Sequence, residues 1–364
     1  MKKIILVAGA RPNFMKIAPL IKELRRHKKE FEFKLVHTGQ HYDFEMSGAF
    51  FQDLKIPNPD IHLEVGSATH AVQTAGIMIA FEKVILREKP DLIIVVGDVN
   101  SSLGCSLVAS KLGVQVAHVE AGLRSFDRAM PEEINRIITD SLSDYLFVTE
   151  ESGCTNLKRE GVSRAKTYFV GNTMIDTLLS NMPKINRSKI LTTHNLKPKT
   201  YCVLTLHRPS NVDSKKSLLE IHDLLKSLAE KIKIIYPIHP RTKKMITAHN
   251  LVSEFEKLHN LILCQPLGYI DFIKLVKESR FVLTDSGGIQ EETSFLKVPC
   301  LTMRENTERP VTLKKGTNIL VGRNKAKALR AIDNLLGHNT KDSQVPRLWD
   351  GRTAQRIVKI LKKK

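Results

Sequence analysis

Short unbroken apolar runs alternate along the chain with longer stretches in which apolar positions return every three or four residues. These are the signatures of buried strands and of one-faced helices. Runs at 4–8, 33–37, 92–96, 115–119, 145–148 and 168–170 predict strands, and periodic stretches at 12–28, 44–54, 70–88, 101–112, 132–142 and 151–159 predict the helices between them. Strands separated by helices of this length form βαβ units and a parallel sheet, with ligands at the carboxyl ends of the strands. Residues 183–200 are polar and irregular and read as a linker region. The alternation then restarts, with strands at 201–206, 233–238, 261–264, 281–284, 299–303 and 318–321. The expected fold class is α/β, with two doubly wound Rossmann-like domains facing a cleft that holds a ligand.

Composition narrows the partners. No apolar run approaches the ~20 residues of a membrane-spanning helix. Cys105, Cys154, Cys202, Cys264 and Cys300 are far apart and form no CxxC pair, so neither a disulfide framework nor a thiolate zinc site is expected. The opening MKKIILVAGA imitates a signal peptide, but its apolar part is short and Arg11 and Lys16 follow at once. It reads as a first buried strand, and the protein as cytoplasmic. Net charge is +19; residues 1–182 hold 22 basic and 22 acidic side chains, so the excess lies wholly in 183–364. A basic second half attracts a polyanion or a phosphorylated small molecule. Nucleic acid and anionic membrane are the weaker choices, because aromatics are 6% and Trp349 is the single tryptophan.

The polar residues that carry chemistry sit just past predicted strand ends. The first run is followed by GARPNFMK, which sets Arg11 and Lys16 at a helix entry, where free N–H groups favour an anion. The strand 92–96 ends in GDVNSS with Asp98 at its tip, and 115–119 ends in EAGLRS with Glu120 at the next. MPEEINR opens a helix with Glu132 and Glu133 beside Arg136. One carboxylate at a strand tip is commonly structural; Asp98, Glu120 and Glu132 on one edge could divide acid and base roles. In the second half, HRPSN presents His207 and Arg208, and HPRTKK presents His239. No spacing of these histidines supports a metal. LTDSGGIQEET is the strongest local signal: a strand, then Ser286, Gly287 and Gly288 at a helix start, with Glu292 one turn on. Glycines let phosphate oxygens reach the backbone. This is neither a Walker loop nor a dinucleotide fingerprint, which disfavours ATPase and NAD-dehydrogenase chemistry. Arg304 and Arg309 of MRENTERP follow and favour a diphosphate.

GARPNFMK, HTGQHYD, GDVNSS, HVEAGLRS, MPEEINR, GNTMID, LTLHRPSN, HPRTKK, LTDSGGIQEE and MRENTERP occur in an order that resembles the non-hydrolysing UDP-N-acetylglucosamine 2-epimerase family over nearly the whole chain. The resemblance implies a glycosyltransferase-B-like fold and a homodimer. It implies an N-terminal domain at 1–175, a UDP-binding domain at 176–351, and a last helix at 352–364 crossing back to the first domain. It implies UDP on Ser286, Gly287 and Gly288, its ribose on Glu292, and its uracil bordered by Phe272 and Leu267. Arg309 and Arg11 would add anionic contacts, with Lys16 near the catalytic positions Asp98, Glu120, Glu132 and His207. Arg136, Arg208 and His239 are additional candidates. The implied reaction inverts C2 of the sugar without a cofactor, by eliminating UDP to a 2-acetamidoglucal and adding it back.

HTGQHYDFEM and HRPSN depart from members that bind a second UDP-sugar as activator, whereas HTGQHYD and LRSF are the style of relatives acting on UDP-2,3-diacetamido-2,3-dideoxyglucuronic acid. That sugar, and a hydrolysing enzyme releasing N-acetylmannosamine, are the neighbouring alternatives. A glycosyltransferase of the same fold would need an acceptor and leave the C2 hydrogen in place. A catalytically dead UDP-sugar sensor is disfavoured by the presence of all the expected catalytic residues.

Overall fold

The structure, a computed structural model, describes residues 1–39, 53–54, 56–337 and 341–363, without the side chain of Arg11. The helix expected at 44–54 and the HYD of HTGQHYD fall outside the described residues, apart from 53 and 54. Two compact units emerge: Met1–Ser180 with Arg347–Lys364, and Asn181–Pro346.

Among the described residues, unit 1 is built on a seven-stranded sheet. Its strands are β1 (Lys2–Ala8), β2 (Phe31–His37), β3 (Ile61–His62), β4 (Leu92–Val96), β5 (Gln115–Ala121), β6 (Tyr145–Val148) and β7 (Thr167–Phe169). They run parallel in the order β3-β2-β1-β4-β5-β6-β7. Alternate side chains of β1 feed opposite cores. Ile4, Leu6 and Ala8 meet Phe14, Ile17 and Leu20 of helix Arg11–Arg26, while Ile5 and Val7 meet Ile77 and Phe81 of helix His70–Glu88. Both faces are therefore buried, which is why these strands read as continuous apolar runs.

Unit 2 carries a six-stranded parallel sheet of β8 (Tyr201–Thr205), β9 (Lys233–Pro237), β10 (Leu261–Cys264), β11 (Phe281–Thr284), β12 (Cys300–Thr302) and β13 (Asn318–Leu320). Its order is β10-β9-β8-β11-β12-β13. Strand order reverses between β1 and β4 in one sheet and between β8 and β11 in the other, and such switch points open a crevice at the carboxyl ends. The segments that leave these four strands carry Lys16, Asp98, His207 and Ser286.

Helix Thr353–Lys362 packs Ala354, Ile357, Val358 and Leu361 into the core of unit 1, against Ile17 and Ile21. Burial stabilises each of the larger three by about 1.5–3 kcal/mol. GNTMID supplies its seat. Asp176 accepts the N–H groups of Thr353 (3.1 Å) and Ala354 (2.8 Å), capping the helix, and the Arg356 guanidinium donates to the Val170 carbonyl at 3.0 Å.

Two expectations need correction. Residues 183–200 are not an irregular linker: helix Thr173–Arg187 runs through Pro183, and a further turn covers Ile190–Thr193. The buried stripe of Met174, Ile175, Leu178 and Ile185 outweighs the backbone hydrogen bond that a proline forgoes. Glu120 is not beyond the end of its strand. β5 continues to Ala121 with a register shift between Val119 and Ala121, and Glu120 sits in that bulge with φ of 80°.

Candidate active site

At the switch point of unit 1, Asn13 ties the ends of β1 and β4 together. Its Oδ1 accepts the N–H groups of Gly9 (3.0 Å) and Ala10 (2.9 Å), and its Nδ2 donates to the Val96 carbonyl (3.1 Å). One helical turn later Lys16 is buried and ion-paired with Glu120. Gly97 turns back over this pair with φ of +68°; a Cβ there would fall 2.7 Å from Lys16 Nζ and 3.2 Å from Glu120 Oε2. Only a residue without a side chain lets the tip approach so closely. The left-handed backbone of Glu120 is strained for a non-glycine residue, and such strain collects at functional sites.

Asp98 follows Gly97 directly. The Arg136 guanidinium grips its Oδ2 through Nε (3.1 Å) and Nη2 (2.6 Å), while Asn135 Nδ2 donates to the Asp98 carbonyl (2.9 Å). Glu132 is half-buried on the same helix, Pro131–Leu142, four residues before Arg136 and therefore on the same side of it. Glu133, its neighbour, is 1% exposed. It accepts the backbone N–H groups of Ser125 (2.9 Å) and Phe126 (2.8 Å) and pairs with Arg136 at 2.5 Å. The acid that braces the site is thus Glu133.

In unit 2 the organising residue is Asp285, fully buried at the end of β11. Its carboxylate accepts the backbone N–H groups of His207 (3.0 Å) and Arg208 (2.9 Å) and the Asn211 amide (2.9 Å), and lies 3.0 Å from His207 Nδ1. Burial raises its pKa, but these partners, His207 foremost, hold it below the usual carboxylate range. His207 is 38% exposed at the side chain, and its ring lies 5.1 Å, centroid to centroid, from that of His239. An imidazole fixed at Nδ1 by a buried carboxylate keeps Nε2 for a substrate.

Beside it, helix Gly287–Leu296 begins at Ser286. A Cβ on Gly287 would lie 2.7 Å from Arg309 Nη1, so the guanidinium rests on the glycine backbone. Arg309 is ion-paired with Glu291 (2.9 Å) and Glu308, and Arg304 Nη2 donates to Glu308 at 2.8 Å. Among the described residues, Arg304 Nη1 is buried without a hydrogen-bond partner. Desolvation, with the nearby guanidiniums of Arg208 and Arg309, lowers the Arg304 pKa against the pull of Glu308. Three crowded guanidiniums at a helix start with a bare glycine pair fit an anion with several oxygens.

Glu292, one turn into this helix, is buried. Desolvation, with a contribution from Glu291, pushes its pKa up to about 8 against the favourable influence of the Tyr269 hydroxyl. Leu267 and Phe272 pack on the apolar cluster that contains Ile289 of this same helix.

The structure thus gathers Lys16, Asp98, Glu120, Glu132 and Arg136 at one switch point, and His207, Arg208, His239, Ser286, Gly287, Gly288, Glu292 and Arg309 at the other. Sequence reasoning missed His118, Asp140, Asn13 and Glu308. Each is buried and acts on a neighbour rather than outward. The signal available was a polar residue inside an otherwise apolar run, as in AHVEA.

A family model described as UDP-N-acetylglucosamine 2-epimerase matches residues 22–362. The chain is 44% identical over 364 residues to a UDP-N-acetylglucosamine 2-epimerase of Methanocaldococcus jannaschii, covering 99% of this chain and 98% of that protein. It is 38% identical over 365 residues to a UDP-2,3-diacetamido-2,3-dideoxy-D-glucuronate 2-epimerase of Pseudomonas aeruginosa, covering 99% of each. It shares its fold with the crystal structure of Methanocaldococcus jannaschii UDP-GlcNAc 2-epimerase in complex with UDP-GlcNAc and UDP, at a TM-score of 0.93 and 44% identity over 100% of both chains. The chain belongs to the UDP-N-acetylglucosamine 2-epimerase family.

Proposed function

We propose that this protein is a non-hydrolysing UDP-N-acetylglucosamine 2-epimerase that interconverts UDP-GlcNAc and UDP-ManNAc, in the cytoplasm, as a step toward surface polysaccharide precursors. The observation that carries the reading is the Arg309 guanidinium resting on Gly287, with Arg304 Nη1 nearby, buried and without a hydrogen-bond partner among the described residues. Ser286, Gly287, Gly288 and Arg309 hold the diphosphate, with Arg11 as a further contact. Glu292 takes the ribose, and Leu267 and Phe272 border the uracil.

The C2 hydrogen has no adjacent carbonyl, so a carbanion there is out of reach. Loss of the C2 proton is therefore coupled to breaking the C1–O bond, with the bonding pair leaving on UDP. Arginine donors stabilise that departing charge. A carboxylate among Asp98, Glu120 and Glu132 takes the proton, and His207 Nε2 faces the leaving diphosphate. Return of a proton to the opposite face of the 2-acetamidoglucal and re-addition of UDP complete the inversion. Every atom is conserved, and no redox cofactor enters.

We place the second copy of a homodimer on helix His70–Glu88, where Val72, Ile79 and Leu86 are each more than half exposed at seven-residue spacing. Light scattering of Ile79→Asp, expected to give the monomer mass, checks this.

The test of function is proton NMR of the protein with UDP-GlcNAc in D2O. UDP-ManNAc with deuterium at C2 of both epimers is the expected result. Free N-acetylmannosamine would assign the hydrolysing branch. An inert sample that acts on the diacetamido-uronic acid nucleotide would reassign the sugar.

A further inference from the structure

His118 lies on β5, 0% exposed, with both ring nitrogens engaged. Nδ1 is 2.6 Å from Asp140 Oδ1, and Nε2 is 2.9 Å from the Gly97 carbonyl oxygen. A backbone carbonyl and an ionised carboxylate only accept hydrogen bonds. Asp140 is held as a carboxylate by the Arg124 guanidinium; burial opposes its charge, but His118 and Arg124 outweigh it and hold its carboxyl below the usual range. Its Oδ2 lies 2.7 Å from Arg124 Nη1 and accepts the Gly122 N–H at 3.0 Å. Each of the two acceptors calls for a hydrogen on the ring nitrogen it faces.

What this ring holds is the carbonyl of Gly97. The N–H of the same residue donates to the Val119 carbonyl at 3.0 Å, so both polar groups of Gly97 are fixed. Its Cα faces the Lys16–Glu120 pair, and Asp98 is the next residue. Asp140 belongs to helix Pro131–Leu142, which also carries Glu132 and Arg136. The Asp140–His118–Gly97 chain therefore links the three segments that bear the candidate acids.

We propose that His118 is a positioning residue for epimerisation. Held as an imidazolium by Asp140, it locks the Gly97 turn and thereby the placement of Asp98 relative to Glu120 and Glu132. This rests on the epimerase reading above. It assigns no contact with substrate to His118, so its loss should lower turnover and leave the nucleotide bound.

The experiment combines ring nitrogen–proton correlation NMR of the full-length protein, labelled at histidine, with kinetics of three variants. The His118 signals, identified by their loss in His118→Gln, should show hydrogen on both nitrogens. His118→Phe keeps ring volume and removes both donors. It should lower kcat about 100-fold, the scale of a misplaced catalytic group, with KM and the UDP dissociation constant within about twofold. His118→Gln restores one N–H toward Gly97 and should recover at least about tenfold of that loss. Asp140→Asn leaves a neutral imidazole still able to donate from Nε2 and should lose less than about tenfold.

An unprotonated ring nitrogen in the wild type overturns the proposal. So does unchanged kcat in His118→Phe, or UDP affinity lost in step with turnover. If His118→Phe does not fold, the ring spectrum and the Gln variant decide. Wild-type protein without C2 exchange would sink the epimerase reading instead, an outcome separate from an active enzyme indifferent to His118.

Discussion

Lys16 and Glu120 are ion-paired although one projects from the first helix and the other from a bulge in β5, and each residue is about one-twentieth exposed. Neither partner has water to fall back on. Lys16→Met should therefore leave the buried Glu120 carboxylate without the Lys16 charge and destabilise unit 1 by about 3–5 kcal/mol. Urea unfolding followed by circular dichroism measures it. Glu120→Gln, which removes a charge while keeping a hydrogen-bonding group, should cost less stability yet abolish C2 exchange.

Gly97→Ala tests the close approach of the tip. The added methyl meets Lys16 Nζ at 2.7 Å, and φ of +68° is a conformation that alanine resists. A loss of about 1–3 kcal/mol is expected, together with a fall in kcat larger than the change in KM. Wild-type turnover in this variant would show that the tip is not held against the pair.

Asp285→Asn exchanges an acceptor of four hydrogen bonds for a group with one oxygen. His207 loses the partner of its Nδ1, and kcat should fall about 100-fold or more. A second signature lies in acid stability. The Asp285 pKa is depressed from its ordinary 3.8, so it contributes stability above that value which is lost as pH falls through the folded value. The variant should unfold at higher pH than the wild type in an acid titration read by circular dichroism, because the single tryptophan, Trp349, belongs to unit 1 and Asp285 to unit 2.

Glu292 gives the opposite sign. Its carboxyl, pushed from 4.5 up to about 8, keeps its proton in the folded state while the unfolded chain has released it. Stability should fall as pH rises across that window, with a slope of up to about 1.4 kcal/mol per pH unit for one proton. Glu292→Gln should flatten the slope. Equal slopes in thermal melts from pH 5 to 8 would refute the assignment.

Legibility in the sequence followed chemistry that is local. Strand ends at Asp98, His207 and Ser286 could be read because an apolar run stops at a polar residue beside glycine or proline. The two switch points followed from the alternation of strands and helices. What could not be read depended on rotation and depth. PEEINR contains two adjacent acids, and a small turn of the helix decides that Glu133 faces the Ser125–Phe126 backbone while Glu132 does not. The bulge at Glu120 leaves no mark in QVAHVEAG. Pro183 misled because a helix breaker in a polar stretch hides the apolar stripe that carries the helix through it.

The capping of Thr353 and Ala354 by Asp176 has a consequence for biosynthesis. The ribosome releases residues 181–346 before it releases 347–364, so the inserted unit has its whole sequence while the earlier one still lacks its closing helix. Until then helix Arg11–Arg26 lacks the apolar cover that Ala354, Ile357, Val358 and Leu361 give Ile17 and Ile21. The cover of the first sheet is thus completed only after the inserted unit has been synthesised, and a stop codon after Pro346 would spare the inserted unit while leaving the first one open.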